Sequence, residues 1–590
     1  MRLPRRLSLL LLPALMLATQ AHAAVQLTVD GIDNPLKAAV IAGVELSQYA
    51  TREVTPAQAT RLYEHAPAQA QAALQPYGYY DASVSGDIRQ VGKDWQVTLH
   101  VKPGEPVKVT RVELRLDQAA ADIAPIRRAE RAIQRLQGKT LDHGSYDAAR
   151  DALSGQLTAN GFLDARLVTH RVEVTRAERS AVIKLAWQAG PRYRYGKVHF
   201  DGSQLNQGFL DRYLPFKSGD YFSQDQLLQL QQALNGADYF AVVNVLPEID
   251  AAKNGVVDVT VQLVPAKRTI YTGGPFVGTD TGVGVRGSIE RRWVNPRGHK
   301  WKNELVLAQR LKTLSTLYSI PLPGPYQRSY NFGANYRDAN TDTSQSRTLE
   351  LVADESRQWH GWVRTLGLHA LDGTFTVGKI GNEPDSTPGI EHGRSSEVFA
   401  EASLTRKKVD NANFVRDGWS LTLAARGTAG SLLSDASFSQ LTADAKWIRA
   451  FGARKRNRLI LRGSAGTTWT SDFSALPPQL RFFAGGDRSV RGYGYQSIGP
   501  RNSYDRVIGG QNLLVASTEV EHYFTRKWGM AAFVDAGNAF NGTDYRPKVG
   551  AGLGVRWLSP VGMIRVDLGT PIHDSRNHGI ELHVVIGPDL

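Results

Sequence analysis

The chain has 590 residues, enough for several domains, a formal net charge of +14 and no cysteine. The lack of cysteine excludes disulfides and thiolate chemistry. Lysine and arginine are scattered, without a dense basic run that interleaves with aromatic residues, so we expect no nucleic acid partner; such a charge suits a protein at an anionic membrane surface.

The first 23 residues have the three parts of a secretory signal peptide. Arg2, Arg5 and Arg6 give a positive start, residues 7–18 are apolar, and Ala21-His22-Ala23 is a small-x-small cleavage site. A 12-residue apolar stretch is too short for a membrane-spanning helix, which needs about 20 residues. We predict a cleaved signal peptide over residues 1–23 and an exported mature chain.

Residues 24–266 repeat one pattern three times. Thr55-Pro56 is typical of a helix start, and Gly78 and Gly161 each end a helix before an aromatic residue. The repeat length of about 80 residues indicates three copies of one small domain rather than a solenoid. We predict three α+β modules of β-α-α-β-β order over residues 24–105, 106–190 and 191–266. Their short open sheets either capture extended peptides or have no binding role.

From about residue 267 the pattern changes to strands of about ten residues. Tyr330, Phe332 and Tyr336 share one strand face, whereas Asn331 and Asn335 share the other. Beyond the signal peptide no run of 18 apolar residues occurs, so a closed barrel is the remaining way to cross a membrane. A soluble sandwich also has one apolar face, but repeated Arg, Asp and Glu on the polar face favour a water-filled lumen. We predict a 16-stranded antiparallel transmembrane β-barrel over residues 267–590.

The most specific stretch is Arg-Phe-Phe-Ala-Gly-Gly-Asp-Arg-Ser-Val-Arg-Gly-Tyr at residues 481–493, which is followed by Glu519 and by Phe-Val-Asp-Ala-Gly-Asn at 533–538. Glycines allow tight turns and close backbone approach. Arg491 carries a planar charged fork that can bind one carboxylate through two hydrogen bonds. A loop folded into the lumen could be tethered in this way; a solvated arginine in an external loop is the alternative.

This stretch resembles the Val-Arg-Gly-Phe/Tyr signature in the sixth extracellular loop of the BamA/TamA/two-partner-secretion transporter superfamily. In that superfamily the loop arginine contacts acidic residues of the inner barrel wall. The resemblance implies a loop-to-wall latch, hereafter the latch, made of Val490, Arg491, Gly492, Tyr493, Glu519 and Asp535. The modules resemble POTRA domains, and three of them match the TamA-type branch, the outer-membrane subunits of the translocation and assembly module. The stretch at 278–282 and the ending at 587–590 are also similar to that branch.

The resemblance further implies a protein of the cell outer membrane with a POTRA-like arm in the periplasm. Its implied activity is to assist insertion of autotransporters and other β-barrel proteins. The implied partners are a TamB-like inner-membrane-anchored protein, unfolded outer-membrane protein clients and outer-membrane lipids. The sequence has no Gly-x-Ser-x-Gly, His-Glu-x-x-His or P-loop pattern, so we expect no enzyme, no cofactor and no metal.

Closing the barrel requires the first strand, about 269–278, to meet the last, about 579–587. Gly and Pro weaken the first strand, because Pro lacks a donor and Gly has no side chain to pack. A weak seam could open and template a client strand through backbone hydrogen bonds. The alternative is that the glycines only reduce the bulk of side chains in the barrel wall. The predicted seam residues are Tyr271, Gly273, Gly274, Pro275, Ile580, Leu582, Val584 and Ile586. A two-partner secretion exporter and a passive outer-membrane pore remain as other functions.

Overall fold

The structure is a computed structural model of the chain. The residues it describes are 25–322, 327–380, 383–384, 386–411, 414–428, 430, 433–559, 562–572, 574 and 579–587. The predicted signal peptide (1–23) and the final residues 588–590 lie outside the described residues. Among the helices in the described part, none is both long enough and apolar enough to cross a membrane.

The chain forms two compact units. One comprises the chain up to Lys197 together with residues 216–227 and 247–259, and the other comprises residues 198–215, 228–246 and the chain from Thr260 onward. Two complete modules lie in the first unit, and the large sheet lies in the second.

The first module has the predicted β-α-α-β-β order. Its elements are β1 (Val25–Asp30), α1 (Leu36–Gly43), α2 (Pro56–Leu74), β2 (Ser83–Val91) and β3 (Asp94–Lys102). The Thr55 side chain accepts a hydrogen bond from the Gln58 amide and caps α2, as its sequence predicts. Gly78 takes a left-handed backbone with φ +87° beyond the helix. The sheet order is β1-β3-β2, and β1 is parallel to β3.

The second and third modules repeat this plan. The second contains β4 (Lys108–Arg115), α3 (Gln118–Ala121), α4 (Ala124–Gln134), α5 (His143–Ala159), β5 (Arg166–Thr175) and β6 (Ser180–Gln188). The third contains β7 (Arg194–Asp201), α6 (Gln207–Leu210), α7 (Gln224–Gly236), β8 (Phe240–Pro247) and β9 (Val256–Pro265). Their sheet orders, β4-β6-β5 and β7-β9-β8, match the first module. Asp238 has φ +63°, so it takes the left-handed backbone that Gly78 and Gly161 take in the other copies.

Residues from Thr269 onward form one sheet of 16 strands. The strands are β10 (Thr269–Gly278), β11 (Gly282–Arg291), β12 (Lys300–Ala308), β13 (Leu311–Pro321), β14 (Arg328–Asn340), β15 (Ser344–Trp359), β16 (Trp362–Val377), β17 (Glu391–Val409), β18 (Asp417–Thr428), β19 (Phe438–Phe451), β20 (Asn457–Thr470), β21 (Asn512–Tyr523), β22 (Trp528–Phe540), β23 (Lys548–Ser559), β24 (Gly562–Ile572) and β25 (Glu581–Gly587). Each strand pairs antiparallel with the next along the chain. This confirms the predicted architecture of three α+β modules followed by a 16-stranded, near-closed barrel.

Burial follows the predicted alternation of the barrel strands. Tyr330, Phe332 and Tyr336 are exposed on the outer face, while Asn331 between them is buried. The buried polar set includes arginines and carboxylates of β20 to β24. An outer face that is apolar and an inner face that is charged are what a lipid-embedded barrel with a polar interior requires.

Candidate functional site

Residues 471–511 connect β20 to β21 and form a long loop, here called loop six, which folds against the inner wall of the barrel. Val490, Arg491 and Tyr493 are all buried. Val490 and Tyr493 belong to a small apolar cluster with Val515 of β21. The part of the loop that carries the latch residues is therefore a packed element of the barrel interior rather than a solvated segment.

Two glycines allow the loop backbone to touch the wall. A Cβ on Gly550 of β23 would lie 1.8 Å from the Arg491 carbonyl oxygen, a distance that no real Cβ tolerates. Gly492 has φ +91°, and a Cβ there would lie within 3.0 Å of the Thr570 backbone of β24. Any side chain at either position would push the loop away from the wall.

The structure brings Arg491 together with both of its predicted carboxylates. Its Nε and Nη2 donate to the two oxygens of Asp535, at 2.8 and 3.0 Å, and its backbone amide donates to the same carboxylate at 3.0 Å. Its Nη1 donates to Glu519 at 2.7 Å and to Asp567 of β24 at 2.9 Å. The guanidinium also lies 3.5 Å from the centroid of the Phe533 ring, where the ring face attracts a cation.

Burial alone would lower the pKa of the Arg491 guanidinium, but the surrounding carboxylates outweigh burial and raise that pKa above its ordinary value. Arg491 therefore stays charged at any physiological pH. A charge this deeply buried is tolerated because its three side-chain partners are carboxylates within hydrogen-bond distance, which compensate the charge. One side chain thus links loop six to three wall strands, β21, β22 and β24.

The charged network continues beyond the predicted latch. Arg556 of β23 donates to Glu519 at 2.6 Å, to Glu521 at 2.8 Å and to Asp567 at 2.5 Å. Arg458 of β20 pairs with Glu521 in turn and donates to the Val415 carbonyl at 2.7 Å. Buried arginines and carboxylates therefore alternate from loop six to the turn between β17 and β18.

A second polar cluster lies where the barrel's first loop meets its last strand. Thr279 and Asp280 follow β10, Asp487 lies in loop six, and His583 lies in β25. One ligand-type atom from each of Asp280, Asp487 and His583 lies within 4.8 Å of the others. None of these four side chains is among the site residues predicted from the sequence.

The predicted seam residues lie on the two strands that end the sheet order. Within the described residues β10 and β25 share no ladder of backbone pairs; each is bonded on one side only, to β11 and to β24. Gly273, Gly274 and Pro275 lie inside β10 and pair with β11. Tyr271 and Ile580 are 74% and 73% exposed, and Ile580 precedes β25 rather than belonging to it.

Val584 is a predicted seam residue whose backbone contacts the other side of the seam. Its amide lies 3.4 Å from the Thr279 hydroxyl oxygen. Leu582 and Ile586, on alternate positions of the same strand, are exposed on the outer face. In the described part of the chain, the seam therefore has close contact at its loop-six end without a β-ladder.

The sequence did not predict a site role for five further residues: Asp567, Arg556, Glu521, Arg458 and His583. The only feature of the sequence that could have indicated them is their place in a strand, where each alternates with apolar residues and so faces the interior. Because many polar residues of the barrel meet the same criterion, alternation alone could not single out these five.

Comparisons with known proteins agree with this architecture. Residues 282–588, more than half of the chain, match the Omp85 superfamily domain. Residues 26–103 match the family described as POTRA domain TamA domain 1, and residues 193–266 match the POTRA family described as Surface antigen variable number repeat.

Two relatives are both named Outer membrane protein assembly factor BamA. The protein from Nitratidesulfovibrio vulgaris is 23% identical over 398 residues, which are 65% of this chain and 49% of that protein. The protein from Neisseria meningitidis serogroup B is 21% identical over 184 residues, 29% of this chain and 23% of that protein. The chain thus spans about half the length of the first relative and less of the second.

Among solved structures, BamA from Haemophilus ducreyi lacking POTRA domains 1-3 is similar in fold. It has a TM-score of 0.66 and 16% identity, and the match covers 81% of this chain and 99% of that one.

Proposed function

The chain belongs to the Omp85 superfamily, and we propose that it is an outer-membrane protein assembly factor of the TamA type. In this proposal the barrel lies in the cell outer membrane and the three POTRA-like modules extend into the periplasm. The clients are unfolded outer-membrane proteins, autotransporters among them. The observation that carries the proposal is the seam: over the residues that the structure describes, two edge strands meet without a backbone ladder, beside strands that loop six holds together.

The edge strands suit strand templating because their outward backbone groups lack ladder partners in the described residues. In lipid an unpaired N–H or C=O group costs several kcal/mol. An incoming client strand that pairs with β10 or β25 would remove that cost, by the same addition of a strand that other sheet edges use for peptides. Pro275 lowers the number of donors in β10 and so weakens closure further.

The latch suits this role because it confines movement to the seam. Arg491 joins loop six to β21, β22 and β24, and Arg556 adds β23 to the same network. Four consecutive strands beside the seam are thereby held together by buried ion pairs. When the barrel opens, separation of β10 from β25 is therefore expected before separation of any of these strands.

The modules provide edges for the polypeptides that such a factor must handle. In each three-stranded sheet the two outer strands have one side without a neighbour in the sheet. We propose that these edges receive extended segments of clients and that the arm binds a TamB-like inner-membrane-anchored partner, as in the TamA branch. Outer-membrane lipids surround the apolar outer face. A passive pore is disfavoured, because loop six is packed against the inner wall.

A comparison of outer-membrane proteomes with and without this protein tests the proposal. We expect a specific subset of β-barrel proteins, autotransporters included, to be depleted when the protein is absent. An Arg491→Ala chain should fail to restore that subset, whereas Arg501→Lys, a change at an exposed arginine of the same loop, should restore it. Unchanged barrel levels together with the loss of one secreted exoprotein would instead support a two-partner exporter.

A further inference from the structure

The seam is held at its loop-six end by side chains. The Thr279 hydroxyl donates to Asp487 Oδ1 at 2.7 Å, and its oxygen lies 3.4 Å from the Val584 amide, which donates to it. One hydroxyl group therefore touches both loop six and the last strand. Thr279 itself directly follows the first strand, so three separate parts of the chain meet at one oxygen atom.

His583 joins the same group from β25. The Gly492 amide donates to His583 Nε2 at 2.9 Å, so that nitrogen carries a lone pair. The proton of the neutral ring must then be on Nδ1, which faces Asp487 Oδ1 at 3.3 Å. His583 thus contacts loop six at two points, the backbone beside the latch arginine and the Asp487 carboxylate, and is only 4% exposed.

Asp280 completes the arrangement from the β10 side. Its carboxylate accepts from the Asp487 backbone amide at 3.3 Å. Gly486 approaches it so closely that a Cβ there would lie 2.9 Å from both Asp280 oxygens. Two carboxyl groups facing each other are stable when they share one proton.

We propose that Thr279, Asp280, Asp487 and His583 form a clasp that positions the two edge strands in the closed seam, with loop six as its central piece. This inference rests on the proposed function, because it assigns the residues that must release before the seam can open. The clasp differs from the latch in what it joins. Arg491 binds β21, β22 and β24, which lie on one side of the seam, whereas Asp487 binds residues on both sides.

A mechanical consequence follows from the chain's connectivity. Asp487 lies only four residues before Arg491, and Gly492 beside that arginine bonds to His583. A shift of this loop segment therefore breaks the contacts to β10 and to β25 together. Release of the clasp and opening of the seam therefore become one event, while the Arg491 contacts to β21, β22 and β24 keep the rest of loop six on the wall.

Thr279→Val and Asp487→Ala test the clasp. Val keeps the shape of Thr and removes only the hydroxyl. The chain has no cysteine, so spin labels can be placed at Val277→Cys and Leu582→Cys, which lie exposed on the two edge strands. Distances between the labels are measured in the full chain, folded into phosphatidylethanolamine–phosphatidylglycerol vesicles, after electrophoretic confirmation that the barrel is folded.

In both variants, the fraction of molecules with a long distance between the two labels should be several-fold larger than in the labelled protein with an unmodified clasp. Thr405→Val is the matched control, because its hydroxyl pairs with Thr422 across β17 and β18, far from the seam in strand order. Thr279→Val and Asp487→Ala distributions that match this control would overturn the clasp. If Asp487→Ala fails to fold, the nearly isosteric Thr279→Val alone decides.

Assays of client insertion with the same proteins test the clasp and the proposed function independently of each other. A widened seam in a protein that handles no clients would support the clasp and contradict the proposed function. Normal client insertion with an unchanged seam in both variants would contradict the clasp and leave the function standing.

Discussion

Asp535 accepts three hydrogen bonds from Arg491, two from the guanidinium and one from the backbone amide, although 44 positions separate the two residues. The Ser517 hydroxyl donates to the same carboxylate at 2.5 Å. A carboxylate with four donors in a buried site has a fixed orientation. It can therefore hold a loop backbone in one place on the wall.

Arg491→Ala should destabilise the folded barrel by about 3–5 kcal/mol, because it leaves buried carboxylates without their main counter-charge. Arg491→Lys should recover only part of this loss, since one ammonium group cannot reproduce the two-point contact with Asp535 and still reach Glu519. Urea unfolding in vesicles gives the free energy, and protease cleavage within loop six reports its release. Arg501→Lys should behave as the wild type; equal stability of Arg491→Ala and Arg501→Lys would contradict a structural latch.

Gly550→Ala should displace loop six without altering any charged group. The added methyl would occupy the position of the Arg491 carbonyl, so either the loop or β23 must move. We expect faster proteolysis of loop six and a decrease of about 1–3 kcal/mol in the free energy of unfolding, as overpacking typically produces. Gly463→Ala in β20 is the control, because its nearest neighbour would be 3.9 Å away. Identical proteolysis of the two variants would show that close contact is dispensable.

A disulfide across the seam should stop client insertion reversibly. A Cβ on Gly278 would lie 3.8 Å from the Val584 carbonyl oxygen, so Gly278→Cys with Val584→Cys puts two cysteines at adjacent backbone positions across the seam. Oxidised protein should insert few clients into vesicles, and a reductant should restore insertion. Thr405→Cys with Thr422→Cys joins paired positions of β17 and β18 and should be harmless in either state. Full activity of the oxidised seam pair would refute lateral opening.

The clasp should weaken as pH rises. Burial and the facing Asp487 carboxylate raise the pKa of Asp280 to about 8. Burial also pushes the pKa of Asp487 upward, but hydrogen bonds from His583 and Thr279 outweigh it and lower that pKa. The folded clasp therefore binds a proton that free Asp280 releases near its ordinary pKa. Stability from this proton is greatest at low pH and declines until pH passes about 8.

Spin-label distances across the seam between about pH 6 and about pH 9 measure this effect. The long-distance population should grow with pH. The charged or titratable groups around Asp280 are Asp487, His583, Arg488 and Tyr495. Asp280→Asn resembles the protonated acid and should remove most of the pH dependence. A pH response that persists in Asp280→Asn would assign the titration to one of the other groups.

Local patterns were sufficient to predict the architecture. The Thr55 cap, the left-handed glycines before aromatic residues and the two-residue alternation of the barrel strands each act over a few neighbouring positions. Such signals can be recognised in the sequence because helix ends and strand faces favour the same residue types at the same positions wherever they occur. Arg491 and Asp535 also lie in two distinctive short stretches, but their pairing was predicted from the resemblance of those stretches to a known superfamily and not from local patterns.

Tertiary structure alone decided which interior charges meet. Asp567, Arg556 and His583 come from three strands, and only the register and the fold of loop six place them beside Arg491 and Asp487. That β10 and β25 share no ladder in the described residues also cannot be read from either strand's composition, because pairing depends on where the sixteenth strand lies relative to the first. Sequence determines the face on which a side chain lies, whereas closure of the barrel determines its neighbours.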